Sequence, residues 1–490
     1  MFTKECEAYG KEIDRLRIQK DYEGLREYLK EIEKLLVLNE TQEHANIFYY
    51  LGTGYGVLAD YYRKLEETVT AQSVTENRKW SFCYLRKAME LAEQCEKGNV
   101  LLLNIYTNYA NGLDACGRVI EAIRIYRKVM ELEPKFGMAI GNYGRALKFY
   151  GNLVNDLGHY NELHYNAQIA LQYALELDDP NLHSEARIVF AKMLKEYEGR
   201  DYKTCISMKK SSNGEGEEYR YRRWCLANHL FLNPLNDLFV EEEIFAHDPL
   251  TITRYTEFIN KDELRDNEQV NPPKWFAMLN QLKEEYIYSR FLCYEGMEKL
   301  DEPHWADKGV KISLASFDYV NYSIRLEQIK TAYKNLFAIF DKIGFFINEF
   351  WKLDFKEREA DAAHVFKSSK YPIENVALLS LYWSYFEFYE KFGDAESASE
   401  KDLKTFRNAL EHKFVKIHQY SYGKKLQIED DSFYHISEDE LKSNTLHLLE
   451  LAREWIMMLV YAIEIDERKK KVSGNAVRLE VTDFDDEWKI

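Results

Sequence analysis

A chain of 490 residues has room for two or three domains. Its 66 Lys and Arg against 83 Asp and Glu leave a net charge of −17; this excludes a general nucleic-acid coat protein and confines any contact with nucleic acid to a local patch. The low Gly and Pro content (22 and 8), with 46% hydrophobic and 30% charged residues, points to long helices and away from disorder.

The N-terminus, Met1-Phe2-Thr3-Lys4-Glu5, has no apolar stretch behind it, and the longest apolar run, Trp455 to Ile463, is too short for a bilayer. No membrane partner is expected. Apolar residues recur at helical spacing almost throughout, so the expected class is all-α, and strands would be a surprise. The clearest periodicity lies between Asn104 and Lys135. Here Tyr106, Ala110, Leu113, Ala122, Tyr126, Val129 and Pro134 fall where a tetratricopeptide (TPR) repeat places its packing residues. The small Ala110 lets two helices approach, and Pro134 stops the second one. A second copy starts with Ile140, Tyr143, Gly144 and Leu147 and is lengthened around Leu153 to Tyr160; a looser one begins at Leu51-Gly52 with Tyr55. Residues 1–200 are therefore expected to be TPR-like helical repeats, whose stacking leaves a groove suited to a peptide or protein ligand.

The seven cysteines, Cys6, Cys83, Cys95, Cys116, Cys205, Cys225 and Cys293, are odd in number and scattered. They suggest neither a disulfide framework nor a zinc ribbon, and fit a reduced, cytoplasmic setting. A polar, turn-rich stretch at 209–217 opens a middle region, 201–310, that contains Trp224 to Asp237 and a helical stretch from Pro273 to Gly296. Helices are then expected over Phe317 to Asp354, Val376 to Phe392 and Ser397 to His418. A loop through Tyr422 to Glu438 leads into a last helix ending near Lys470, and 471–490 form a tail.

Nothing in the chain resembles a P-loop, a dinucleotide fingerprint, a nucleophile elbow or a zinc-protease motif, and the twelve dispersed histidines supply no metal-ligand set. The remaining candidate for chemistry is Arg407-Asn408-Ala409-Leu410-Glu411-His412. At about 100° per residue, Leu403, Phe406, Leu410, Phe414 and Ile417 form one stripe that should face the core; Asn408 and His412 point nearly the opposite way, with Arg407 at the stripe's edge. From Lys401 to Lys425 the chain carries Lys401, Lys404, Arg407, Lys413, Lys416, Lys424 and Lys425 against Asp402 and Glu411, a local excess that can attract phosphate. The plain alternative is a solvated helix with Arg407 paired to Glu411. Arg223 with His229 and Arg358 with His364 show similar spacing, so spacing alone does not single out a site.

The Arg407-Asn408-x-x-x-His412 motif, set late in an all-α region, resembles the signature of the HEPN superfamily. Phe317-Asp318-Tyr319, Glu327, Lys330, Tyr333 and Phe340-Asp341-Lys342-Ile343 resemble the first helix of a prokaryotic HEPN subfamily that carries TPR-like helices in front. Leu232 to Leu238, His247 to Leu250 and Trp275 to Gly296 resemble its middle region. The resemblance places a HEPN-type helical bundle at 311–470. It implies a metal-independent endoribonuclease without cofactor, in which a ribose 2′-OH attacks the adjacent phosphate to leave a cyclic phosphate and a 5′-hydroxyl. His412 would move the protons, Arg407 would hold the phosphate, Asn408 would orient them, and Lys404, Lys413 and Lys416 would bind RNA. It further implies a homodimer, with two copies of the motif facing each other, and a toxin-like or anti-phage role regulated through the TPR-like region. Glu327 and Lys330 are spaced differently from the subfamily's pattern. The alternative from another class is a non-catalytic helical scaffold or nucleotide-binding regulator that only dimerises through this domain.

Overall fold

The structure, a computed structural model, describes residues 4–36, 44–65, 76–94, 99–202, 214–258, 273–313, 320–389, 398–419, 432–470 and 476–480. The chain divides into two compact units. The first comprises Met1–Met208 with Pro372–Ser384 and Glu390–Ser397; the second comprises Lys209–Tyr371, Tyr385–Tyr389 and Ala398–Ile490.

The first unit contains helices α1 (Lys4–Gln19), α2 (Tyr22–Leu36), α3 (His44–Leu65), α4 (Glu76–Glu93), α5 (Val100–Ala115), α6 (Val119–Leu132), α7 (Gly137–Leu153), α8 (Leu157–Glu176) and α9 (Ser184–Lys195). Successive helices pack as hairpins, α3 on α4, α5 on α6 and α7 on α8. Tyr106, Ala110, Leu113, Ala122, Tyr126 and Val129 are all buried, as the periodicity requires, and Pro134 lies just past the end of α6. The extra length noted after Leu153 resides in the helices themselves: α8 alone runs for 20 residues, capped by the Asp156 carboxylate, which accepts from the His159 backbone N–H at 2.7 Å. Ile13, Leu16, Leu25, Leu29, Ile32, Leu51 and Leu58 form the core of α1 to α3.

The second unit starts with α10 (Glu217–Ala227) and continues through α11 (Lys274–Glu298), α12 (Ile324–Trp351), α13 (Ala362–Phe366), α14 (Val376–Tyr389), α15 (Ala398–His412) and α16 (Glu438–Lys469). Only the last residues of α14 belong to this unit. The all-α class holds. Two short ladders depart from it, β1 (Arg254–Phe258) antiparallel to β4 (Ala476–Glu480), and β2 (Phe414–His418) parallel to β3 (Phe433–Ser437).

The 32-residue α16 is the spine of this unit. It begins with a capping box: the Ser437 hydroxyl accepts from the Glu440 backbone N–H, and the Glu440 carboxylate accepts from the Ser437 backbone N–H. Its Trp455 ring meets Phe340 of α12 edge-on at 4.7 Å and Phe366 of α13 at 5.3 Å. Arg453, 1% exposed, donates to both oxygens of the fully buried Asp237 at 2.7 and 3.1 Å and to the Asn233 carbonyl at 2.8 Å. Arg290 of α11 does the same for Asp248, at 2.9 and 2.8 Å, and reaches the Leu230 carbonyl at 2.9 Å. Two arginines thus hold the irregular segment from Leu230 to Asp248 against α11 and α16, with their buried charges matched. Among the described residues no helix is long and apolar enough to cross a membrane.

Candidate functional site

The helix expected to reach His418 ends at His412. The Lys413 N–H closes on the Ala409 carbonyl at 2.9 Å, and the Phe414 N–H already bonds to the Ser432 carbonyl at 3.2 Å, starting the β2–β3 ladder. Phe414, Val415 and Ile417 favour strands, and a partner strand is available to pair with them. This corrects the reading of Phe414 as a core residue: its side chain is 73% exposed, while Ile417 is buried from a strand rather than from the helix.

Within α15 the amphipathic reading describes the burial. Leu403 and Phe406 are buried, Asn408 and His412 are exposed, and Arg407 lies between. Phe406 is packed between Tyr333 of α12, with ring centroids 4.8 Å apart, and Tyr434 of β3 at 5.5 Å. The Tyr333 hydroxyl donates to the Leu403 carbonyl at 2.8 Å. These contacts fix the rotation of α15 and hence the outward aim of its polar face.

Arg407 donates from Nη1 to the Asn408 side-chain oxygen at 3.2 Å. Among the described residues it makes no ion pair with Glu411, so the solvated-pair alternative is not what the structure shows. His412 makes no hydrogen bond to Arg407 or Asn408 among the described residues; the three side chains share an exposed face without binding one another. Lys404 lies about one turn before Arg407, and Lys413 is exposed just past His412. Lys416 lies across the helix-to-strand junction, its ammonium 4.6 Å from the Phe433 ring centroid. Of the other residues weighed from the sequence, Lys424 and Lys425 and the Phe317-Asp318-Tyr319 triplet fall outside the described residues. Glu327 and Lys330 pair with each other along α12.

A carboxylate with no role assigned from the sequence, Asp341, lies within electrostatic range of Arg407, and a second, Asp361, lies near Asp341. Asp341 of α12 is in electrostatic range of Asp361, Arg407 and Lys404 and accepts from the Ala362 backbone N–H. Burial raises its pKa and Asp361 adds to this; Arg407, the Ala362 N–H and Lys404 offset only part. Asp361 caps α13, accepting from the His364 backbone N–H at 2.9 Å and facing the His364 Nδ1 at 2.7 Å. Burial acts to raise the Asp361 pKa, but these His364 contacts outweigh it and the pKa is lowered. In sequence Asp341 is too far from Asp361 and from Arg407 to be linked to either by any spacing rule. Only the N-cap pattern before α13 marks Asp361 locally.

The rival Arg-His pairs are placed differently. His229 sits in the left-handed region at φ 54, its Nδ1 2.7 Å from the Asn236 carbonyl, and Arg223 donates to the Glu241 carbonyl at 2.7 Å. Both are tied to local backbone. His364 is exposed but engaged with Asp361.

A further histidine pair went unremarked in the sequence. His418, buried at the end of β2, stacks on His435 of β3 with Nε2 2.9 Å from Nδ1. Among the described residues no group of three or more His, Cys, Asp or Glu is arranged to hold a metal ion.

Residues 267–466, which include α11, α12, α13, α15, β2, β3 and nearly all of α16, match the family described as LA2681-like HEPN. No curated protein and no solved structure matches the chain. The helical bundle built on α11, α12 and α16 fits this match, and residues 267–466 form a HEPN domain of the LA2681-like type.

Proposed function

We propose that the HEPN domain is an endoribonuclease and that Arg407, Asn408 and His412 are its reactive face. HEPN domains are often ribonucleases. The observation that carries the reading is that α15 presents a guanidinium, an amide and an imidazole together on its exposed side, with lysines before and after them. A phosphodiester lying along this face would meet Arg407 with its non-bridging oxygens, where a planar guanidinium can offset the charge that builds in the transition state. Asn408, already bonded to Arg407, would hold that guanidinium in position.

The proposed cut needs no metal. An imidazole accepts the proton of the ribose 2′-OH as that oxygen bonds to phosphorus. The bond from phosphorus to the 5′-oxygen breaks, and the leaving oxygen takes a proton, giving a 2′,3′-cyclic phosphate and a 5′-hydroxyl. Imidazoles suit both transfers near neutral pH. In a homodimer with two such faces opposed, the His412 of each copy could take one of the two roles. Lys404, Lys413 and Lys416 would hold the RNA backbone. The N-terminal helical unit, read as TPR-like, would receive the protein or peptide signal that restrains or releases cleavage, as in a toxin-like or anti-phage effector.

The test is incubation of the full chain with RNA in EDTA, with mapping of the product ends. Cleavage leaving cyclic phosphates, reduced by about 10² or more in His412→Ala and similarly in Arg407→Ala, supports the proposal. Activity untouched in both variants removes it.

A further inference from the structure

Two residues beyond His412, Phe414 opens strand β2 with its side chain 73% exposed. A single exposed aromatic is ordinary on a protein surface; what sets this one apart is how it is held and what surrounds it. Its backbone is fixed on both sides, by the helical closure at Lys413 and by the bond from its N–H to the Ser432 carbonyl at 3.2 Å. Across the ladder it faces Phe433, ring centroids 5.8 Å apart at 36°. The Phe433 ring is half-buried and has the Lys416 ammonium 4.6 Å from its centroid. Phe433 thus backs the pair, and the open aromatic surface belongs to Phe414. Lys413, exposed, directly precedes Phe414 in the chain, and Lys416 follows two residues later; both are capable of meeting phosphates.

An exposed aromatic ring on a hydrogen-bonded backbone, backed by a second ring and close in the chain to groups that would bind a phosphodiester, has the composition of a stacking subsite for an unpaired nucleobase. We propose that Phe414 stacks on the base next to the scissile phosphate, so that the substrate class is single-stranded or loop RNA rather than duplex. This rests on the ribonuclease reading and deepens it. In an A-form duplex every base is already stacked on its neighbours, and no face is free for the ring. Stacking is tolerant of base identity, so the subsite selects for an unstacked base more than for a sequence. The lysines close to Phe414 in the chain, able to meet phosphates, favour a nucleic-acid occupant for the ring.

The experiment uses the full chain carrying His412→Ala, which separates binding from cleavage, and three probes: a single-stranded RNA, a duplex of the same sequence, and a strand with abasic ribose units. Phe414→Ala should weaken binding of the single strand roughly 5- to 150-fold, the range of one lost base–aromatic stack, and leave the abasic strand and the duplex unchanged. Phe414→Trp should restore or tighten single-strand binding. The proposal is overturned if Phe414→Ala weakens all three probes alike or none of them, or if it turns a dimer into a monomer by light scattering, since the ring would then be a contact between copies. The two readings fail separately. A wild-type chain that never cuts RNA, yet binds single strands through Phe414, loses the nuclease and keeps the subsite. A chain that cuts with KM indifferent to Phe414→Ala loses the subsite alone.

Discussion

Gly344 of α12 and Ala362 of α13 approach so closely that a β-carbon on Gly344 would lie 2.6 Å from the Ala362 nitrogen and 2.9 Å from its Cα. This is where α13 rests on α12, and Asp341 and Asp361 flank the contact. A methyl group there meets backbone, which cannot move aside as a flexible side chain could. Gly344→Ala should therefore destabilise the protein despite better helix propensity: overpacking costs about 1–3 kcal/mol against roughly 1 kcal/mol gained from the helix. Urea unfolding decides it, and a stability equal to or above that of the wild type would contradict the contact.

Asp341 carries a testable pH signature. Its folded pKa is raised, first by burial and then by Asp361. The unfolded chain therefore gives up this proton at lower pH than the folded one, so the charge costs no stability below the ordinary carboxylate range, and the cost grows as pH rises from there through the folded value. Asp341→Asn should raise the melting temperature at neutral pH, with the difference from wild type vanishing below the ordinary carboxylate range. A difference that grows on acidification would refute this assignment.

His164 of α8 predicts the opposite slope for the N-terminal unit. It is 2% exposed, its Nδ1 lies 3.0 Å from the Tyr197 hydroxyl, and burial, helped by Lys148 and Arg200, lowers its pKa to about 4. Between the ordinary value of 6.5 and about 4 the unfolded chain takes up this proton before the folded one does, so stability falls as pH drops through that window. His164→Asn should flatten the decline, as read from thermal melts at a series of pH values.

The Arg453–Asp237 pair should show the asymmetry of buried ions. Arg453→Met leaves the fully buried Asp237 carboxylate without its cation, at a cost of about 3–5 kcal/mol. Asp237→Asn keeps an acceptor for one of the arginine's nitrogens and should cost less. Chemical denaturation of the two variants gives the order directly.

Salt titration checks the lysines. If Lys404, Lys413 and Lys416 each meet an RNA phosphate, the triple alanine variant should lower the slope of log K against log salt for single-stranded RNA by about 2. An unchanged slope would place the RNA elsewhere.

The helical class, α11, α16 and the exposed side of α15 were legible because they follow from local periodicity, which the chain displays in full. The end of α15 was not. Phe414 and Ile417 continue the stripe of Leu403, Phe406 and Leu410 at helical spacing, yet strand pairing with Phe433 to Ser437 wins. That partner lies beyond any local window. Asp341 and Asp361 were opaque for the same reason: the closeness of Asp341 to Asp361 and to Arg407 is created by the packing of α12 with α13 and α15. Arg453 and Asp237, 216 residues apart, could not have been matched from sequence either.

The parallel β2–β3 ladder also has a mechanical meaning. Strand β2 starts two residues after His412, and β3 passes straight into α16 through Ser437. The imidazole is thereby tethered by backbone bonds to the most deeply seated helix of its unit, so its location is inherited from the interior rather than from the segment connecting the two strands.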